Sequence, residues 1–222
     1  MEGMKGNFRT FFRMVSVLLV LSAAMDLSAL SAGEIHEAVD DLDFETVRKG
    51  LKADEGAVNS RDKQGRTPLF IACEEKNRDM ARLLLDAGAD PNIRTRALST
   101  PLHEAARKGS TELIRLLLSR DADTFAEDSR DQNTPVHYAA RNGHIEAVKL
   151  FVADDAILEA DNKNSWTPLM FAAAEGHVDL VRYLLGKKAN RDARTSGGLT
   201  ALHLAAAKGR LDVVKLLVEN GA

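Results

Sequence analysis

The fold of this chain is decided by the motif Thr100-Pro101-Leu102-His103, which occurs with small changes five times in 222 residues. The other four copies are Thr67-Pro68-Leu69-Phe70, Thr134-Pro135-Val136-His137, Thr167-Pro168-Leu169-Met170 and Thr200-Ala201-Leu202-His203. Successive copies begin 33, 34, 33 and 33 residues apart. A period of this length is typical of a repeat array, in which every copy forms the same small unit of secondary structure.

Each unit is predicted to be a pair of short helices. Thr followed by Pro is a helix start, because the Thr side chain can accept from amides of the first turn and Pro lacks only an amide that has no partner there. Leu102, Ala105 and Ala106 then lie on one helical stripe. Gly109 ends this helix, since glycine adopts the left-handed conformation at little cost. The Leu-rich stretch 113–117 forms the second helix.

Neither helix of such a pair is long enough to be stable by itself. Burying one leucine contributes roughly 1.5 to 3 kcal/mol, but an isolated pair leaves one apolar side in water. Stacking on the neighbouring copies has to supply the missing burial. The repeats therefore predict an all-α solenoid with a polar loop between successive units.

The period and the Thr-Pro-Leu-His signature resemble the ankyrin repeat. The resemblance implies helix-turn-helix units with projecting β-hairpin-like loops. The segment Ile35-His36-Glu37-Ala38-Val39 resembles the start of the third repeat and predicts a degenerate first repeat. We expect six repeats in residues 33–222, at 33–59, 60–92, 93–125, 126–160, 161–193 and 194–222, hereafter the first to sixth repeats.

The segment before the repeats is predicted to be a secretory signal peptide, residues 1–31. Its basic residues are Lys5, Arg9 and Arg13, and the apolar run Met14–Ala24 is shorter than the roughly 20 residues that cross a bilayer. Small residues allow cleavage after Ala24 or after Ser31. The expected product is exported, periplasmic or secreted, from a bacterial source. The alternative is an uncleaved N-terminal anchor, which would bury Asp26.

Composition and reactive residues indicate no enzyme. The net charge of −3 gives no drive toward nucleic acid. Four histidines occupy the motif and two follow turn glycines, so a structural role is expected for all six: the resemblance implies hydrogen bonds to the motif Thr or to neighbouring backbone. Cys73 replaces a buried Ala of the repeat and is expected to be buried. We predict no catalytic residue, cofactor, metal site or small-molecule substrate.

The positions that vary between repeats are the candidate contact residues. In ankyrin arrays the loop tips and the outer positions of the first helices usually contact a partner protein. Here those positions give the candidates Arg96, Leu98, Arg107, Lys108, Arg130, Tyr138, Arg141, Trp166, Phe171, Leu199 and Leu204. Aromatic and aliphatic clusters with flanking cations predict a partner that has an apolar patch flanked by acidic groups. The alternative is that Phe171 and Leu204 pack between first helices and that the cations are a solvated face.

Irregular positions in the repeats add three expectations. Lys76 stands at a turn position held by Gly in the other copies, which implies mild backbone strain. Ala97-Leu98 at a loop tip should expose Leu98, and Asp154-Asp155-Ala156 replaces the usual repeat exit. The apolar last helix predicts possible end-on self-association through the C-terminal repeat.

The predicted function is that of a non-catalytic, exported scaffold, adaptor or inhibitor that binds a protein through its loop tips and concave face. Two alternatives stay open. One is a membrane-tethered ankyrin scaffold, and the other is a periplasmic protective partner of an enzyme.

Overall fold

The computed structural model describes residues 32–152 and 155–222, so the leader 1–31 and its cleavage sites lie outside the described residues, as does Asp154. The helices are α1 (Ala32–Asp40), α2 (Phe44–Ala53), α3 (Pro68–Glu74), α4 (Arg78–Asp86), α5 (Pro101–Lys108), α6 (Thr111–Leu118), α7 (Pro135–Arg141), α8 (Ile145–Phe151), α9 (Asp155–Leu158), α10 (Pro168–Glu175), α11 (Val178–Gly186), α12 (Ala201–Ala207) and α13 (Leu211–Glu219), with a short 3-10 helix at Glu55–Asn59. Throughout these two ranges the regular secondary structure is helical, which confirms the predicted fold class.

The helices stack as two layers. The inner layer is formed by α1, α3, α5, α7, α10 and α12, each of which packs against the next. In the outer layer α4, α6 and α8 pack in sequence, and α11 packs on α13. The short helix α9 follows α8 and precedes the fifth repeat. Among the described helices, none is long and apolar enough to span a bilayer.

One continuous apolar core runs through the stack. The aliphatic residue of the motif is buried in four successive repeats, at Leu69, Leu102, Val136 and Leu169. The alanines that follow it are also fully buried where the inner helices meet, as Ala105 and Ala106 show. Small side chains at these positions allow the inner helices to approach closely, so each repeat is stabilised by its two neighbours.

The inner helices begin at the motif Thr, as the sequence predicts. The Thr67 hydroxyl accepts from the Phe70 amide at 3.2 Å. In the third repeat the Thr100 amide donates to Nδ1 of His103 at 3.1 Å, and the Thr100 hydroxyl lies 2.8 Å from the same nitrogen. His137 receives equivalent contacts from Thr134. The motif histidine therefore completes the cap of its own helix.

The turns between the two helices of a repeat use left-handed backbone. Gly109 has φ 67°, and a Cβ added there would lie 2.5 Å from the ring of His144 in the next repeat. This close approach is possible only for glycine. Lys76 takes the same conformation with φ 55°, which confirms the non-glycine left-handed turn predicted at this position.

The loop before each inner helix projects as a tight hairpin, which we call a finger and number by its repeat. The second to sixth fingers are residues 62–66, 95–99, 128–133, 162–166 and 195–199. Backbone hydrogen bonds join each finger to the next, for example from the Arg96 amide to the Gln64 carbonyl and from the Ser129 amide to the Ala97 carbonyl. The same pattern continues through Lys163 and Ser196. The fingers therefore form one continuous row beside the inner helices.

Candidate functional site: the fingers and the concave face

Four histidines are held by contacts between Nε2 of the ring and backbone carbonyl oxygens. Nε2 of His103 lies 3.0 Å from the Asn133 carbonyl oxygen, and that of His137 lies 2.9 Å from the Ala160 carbonyl oxygen. His144 and His177 follow turn glycines and reach carbonyls of the preceding repeat at 3.1 and 2.9 Å. These contacts confirm the predicted hydrogen bonds. Burial lowers the pKa of His137 to about 4, so its ring is neutral at pH 7.

Cys73 lies in the core, as predicted. The residue is fully buried on α3, and its sulfur is a free thiol. Burial, with a smaller contribution from the negative charge of Glu104, raises the pKa of this thiol well above its ordinary value. A thiol that stays protonated and inaccessible is a packing group rather than a nucleophile. Across the described residues there is no group of three or more His, Cys, Asp or Glu side chains that could hold a metal ion.

The concave face of the second and third repeats carries charges that neutralise one another. Arg66 contacts Asp62 at 2.8 Å and Glu74 at 2.7 Å. Buried Glu104 accepts from Nε of Arg107 at 2.9 Å, and Nζ of Lys108 lies 3.9 Å from it. Two of the three predicted contact cations of the third repeat, Arg107 and Lys108, thus share one carboxylate. This part of the surface is less basic than the sequence indicates.

The fourth repeat places Tyr138 beside a buried carboxylate. The Tyr138 hydroxyl donates to Oδ2 of Asp128 at 2.6 Å, and its ring meets the edge of His103 at 5.8 Å between centroids. Burial, together with the Asp128 hydrogen bond and charge, raises the pKa of Tyr138. Burial opposes ionisation of Asp128, but the hydrogen bonds from Tyr138 and from finger amides outweigh it and lower its pKa. Tyr138 is half-buried and engaged within the protein.

The fifth and sixth repeats replace these polar pairs with apolar packing. The Trp166 and Phe171 rings lie 5.0 Å apart, and Phe171 also lies 5.5 Å from the His137 ring. Phe171 and Leu204 are only 9% and 7% exposed, as expected of residues that pack between inner helices. Trp166 is partly exposed and Leu199 is 43% exposed. Among the predicted contact residues of these two repeats, the accessible apolar surface is therefore concentrated on Trp166 and Leu199.

Exposed cations that form no ion pair among the described residues lie on the third and fourth repeats, which precede this apolar surface in the array. Arg96 and Arg130 lie on the third and fourth fingers, and Arg141 ends α7. All three are exposed, and in the part of the chain that the structure describes no carboxylate lies within 4 Å of their nitrogens. Leu98, at the tip of the third finger, is 42% exposed. Free cations beside an apolar patch favour an acidic partner surface.

One buried residue with a role at this face was not identified from the sequence. Asp128 is a carboxylate at the base of the fourth finger and accepts hydrogen bonds from the Arg130 and Asp131 amides at 3.0 and 2.9 Å. Its signal was the single interval of 34 residues between Thr100 and Thr134, because the additional residue lies in this finger. The spacing alone does not show where an added residue falls or what stabilises it.

Stacked helical pairs with a row of projecting loops define a class of proteins, the repeat solenoids, which present side chains of successive units on one extended surface. Residues 95–159 and 155–222 match a family model described as ankyrin repeats in three copies, and residues 64–96 match the model for an ankyrin repeat. These matches cover more than half of the chain. The chain belongs to the ankyrin-repeat family.

The chain matches only a small part of the length of its curated relatives. The chain is 38% identical over 89 residues to inversin of Gallus gallus, which covers 40% of this chain and 8% of the relative. It is 51% identical over 65 residues to the transient receptor potential channel pyrexia of Drosophila melanogaster, covering 29% and 7%. A putative E3 ubiquitin-protein ligase, XBAT35 of Arabidopsis thaliana, is 36% identical over 77 residues, covering 33% and 17%. These animal and plant relatives give no support to a bacterial source.

Proposed function

We propose that this protein is a non-catalytic binding module whose partner-binding surface is the row of fingers together with the concave face of the third to sixth repeats. Membership of the ankyrin-repeat family supports a protein partner. The observation that carries the finer proposal is that partly exposed Trp166 and exposed Leu199 follow, along the row of fingers, exposed cations that form no ion pair among the described residues. The partner is an acidic protein surface with an apolar patch.

The side chains of this surface differ in what they gain when a partner covers them. Trp166 is a large ring already held at one face by Phe171, so it loses little conformational freedom on binding. Leu199 adds exposed apolar area next to it along the array. Within the described residues, Arg130 and Arg141 form no ion pair that would have to break before they contact a carboxylate of the partner. Arg107 would have to share Glu104, so it contributes less.

Affinity capture from native extract with matched variants tests the surface. The double variant Trp166→Ala, Leu199→Ala should lose most of the captured protein while it keeps the helical signal of the parent. Leu42→Ala is the control, because Leu42 is equally exposed but lies in the first repeat, away from the proposed surface. If the double variant captures the same proteins as Leu42→Ala, the proposed surface is wrong.

We also propose that the protein acts after export, as a scaffold, adaptor or inhibitor in the periplasm or outside the cell. The basic and apolar leader 1–31 supports this proposal. The membrane-tethered scaffold and the periplasmic protective partner of an enzyme are its alternatives. Fractionation followed by intact-mass analysis and N-terminal sequencing distinguishes them. Cleavage after Ala24 or Ser31 supports export, whereas an intact leader in the membrane fraction supports tethering.

A second candidate function is end-on self-association through the sixth repeat. Leu211 and Val218 on α13 are exposed, whereas Val178 and Leu185, which hold the same positions in the fifth repeat, are partly buried against the core. The motif histidine of this repeat, His203, is also exposed. Light scattering at micromolar concentration should detect a dimer that Leu211→Asp abolishes. A monomer mass for the parent protein would exclude this association.

A further inference from the structure

The fourth finger differs from its neighbours in both length and support. Its hairpin closes from the Asp128 amide to the Asn133 carbonyl, one residue wider than the hairpin of Asp62 and Arg66 in the second finger. The additional residue adds a backbone amide and a carbonyl that the ordinary hairpin does not have to satisfy. A loop of this kind keeps one conformation only if these groups find partners.

Asp128 supplies those partners from below the finger. Oδ1 of Asp128 accepts from the amides of Arg130, Asp131 and Asn133, and the carboxylate is buried. The other oxygen, Oδ2, accepts only from the Tyr138 hydroxyl among the described residues. Tyr138 stands on α7, a rigid inner helix. The hydroxyl therefore fixes the orientation of the carboxylate that orders the finger.

The backbone of Arg130 is held on both sides while its side chain is free. Its amide donates to Asp128, and its carbonyl accepts from Nζ of Lys163 in the fifth finger. Lys163 also contacts the Asp131 carboxylate at 2.9 Å. In the described ranges the Arg130 guanidinium meets no carboxylate within 4 Å and is exposed. This arrangement orders the backbone of Arg130 and leaves its guanidinium group available to a partner.

We propose that the fourth finger is a preset recognition loop that presents Arg130 to an acidic side chain of the partner, and that Tyr138 is a positioning residue which acts through Asp128. The inference rests on the proposed function and assigns the acid-binding part of that surface. It also revises the predicted role of Tyr138, whose hydroxyl already has a partner within the protein. A loop that is ordered before binding loses less entropy when the partner arrives.

The second and fifth fingers are stabilised without a hydroxyl such as that of Tyr138. In the second finger the second oxygen of Asp62 accepts from Nε of its own loop residue Arg66 at 2.8 Å. In the fifth finger Asn162 accepts from the Asn164 and Trp166 amides through its amide oxygen, so no charge is needed there. Only the wider fourth finger among those described relies on a hydroxyl from the inner helix.

Amide hydrogen exchange at residues 129–133 tests the positioning role without any ligand. Tyr138→Phe should accelerate exchange in this finger by about tenfold, as expected for the loss of one charge-assisted hydrogen bond, and leave the other fingers unchanged. Tyr183→Phe is the control, because the Tyr183 hydroxyl makes no hydrogen bond among the described residues. Asp128→Asn should also accelerate exchange in this finger, since it removes the charge that strengthens the hydrogen bonds from Tyr138 and from the finger amides. Unchanged exchange in Tyr138→Phe would overturn the positioning role.

Acid recognition is tested with a synthetic peptide of six glutamates around one leucine, titrated into the parent protein and followed by NMR. Saturable shifts at Arg130 are expected, and Arg130→Gln should weaken binding by about tenfold, in keeping with the loss of a charged contact. Arg82→Gln, which removes an exposed arginine on outer helix α4, is the control. The inference fails if the parent does not bind the peptide or if Arg130→Gln binds as tightly as Arg82→Gln.

The two sets of variants separate this inference from the proposed function. If Trp166→Ala, Leu199→Ala abolishes capture of the natural partner while Arg130→Gln has no effect on the peptide, the apolar surface stands and the recognition loop is wrong. If Arg130→Gln weakens peptide binding and Tyr138→Phe loosens the finger while the double variant still captures its partner, the recognition loop stands and the apolar surface is wrong.

Discussion

The fourth and fifth repeats have the same arrangement of helices but differ in the side-chain contacts at the start of the inner helix. In the fourth, the Thr134 hydroxyl lies 3.0 Å from Nδ1 of His137, whose Nε2 lies 2.9 Å from the Ala160 carbonyl oxygen at the end of the same repeat. In the fifth, Met170 replaces the histidine, and the buried hydroxyl of Thr167 has no hydrogen-bond partner among the described residues. The fifth repeat therefore lacks the side-chain contact between threonine and histidine that the fourth repeat makes at its helix start.

The difference shows that successive repeats are stabilised by different kinds of side-chain contact. The third and fourth repeats use side-chain hydrogen bonds and ion pairs to hold their fingers and helix starts. The fifth repeat keeps the hydrogen bonds of its finger through Asn162, but beside its helix start Trp166 and Phe171 make contacts that have no strict direction. Polar links set one geometry, whereas exposed apolar groups gain most when a partner covers them. The unsatisfied Thr167 hydroxyl is the local cost of that exchange.

The turn glycine of the fourth repeat, which faces His177 of the fifth repeat, should give the largest effect. A Cβ at Gly143, which has φ 72°, would lie 2.6 Å from Nδ1 of His177 and would displace the ring that links the two repeats. Gly143→Ala should lower the free energy of unfolding by about 3 kcal/mol, because left-handed strain adds to a lost hydrogen bond.

Gly209→Ala is the matched control for that measurement by urea denaturation. Gly209 has φ 67°, but nothing lies within 4 Å of an added Cβ. Only the conformational cost of about 1 to 2 kcal/mol should remain. Equal losses in the two variants would mean that the histidine bridge contributes nothing to the junction of the fourth and fifth repeats.

The buried histidine should make the fourth repeat sensitive to acid. Burial lowers the pKa of His137 to about 4 in the folded chain, whereas an unfolded histidine has a pKa near ~6.5. Between these values the unfolded state binds more protons, so stability falls as the pH falls. The loss from His137 between pH 7.5 and pH 5 should be about 2 kcal/mol, measured by denaturation across pH.

His137→Met converts this site to the pattern of the fifth repeat and serves as the control. It should lower stability at pH 7.5, since Thr134 loses its partner, and it should reduce the slope of stability against pH in that window. A slope equal to that of the parent would assign the acid sensitivity to other groups, of which His103 also has a pKa lowered by burial.

The two threonine hydroxyls should give the smallest and most direct contrast. Thr134→Val removes a hydroxyl that contacts His137 and should destabilise by about 1 kcal/mol. Thr167→Val removes a buried hydroxyl without a described partner, so thermal unfolding should be unchanged or slightly higher. A comparable loss in both variants would show that Thr167 is satisfied in solution.

The fold could be read from the sequence because its determinants are local. Thr-Pro starts a helix, Gly ends it, and a fixed period places identical apolar residues in every copy. The role of each histidine followed from the same register, and the contacts at His103 and His144 confirmed it. Even the non-glycine turn at Lys76 was visible, because the third to sixth repeats hold glycine at that position.

The surface could be read only in part, because its character depends on which side chains meet. The list of contact candidates did not show that Glu104 would take up the charge of Arg107, and the sequence left open whether Phe171 packs between inner helices. Asp128 is one of several acidic residues in the chain and carries no mark of burial in its sequence context.

The sequence by itself determined the period, the helix starts and the solenoid, because these depend on interactions within one repeat and its copy next door. The tertiary structure alone decided which cations stay unpaired, which aromatic rings stay accessible and how the fourth finger is held. Those properties arise between side chains from separate loops and helices, at distances of a few ångströms that residue order does not encode.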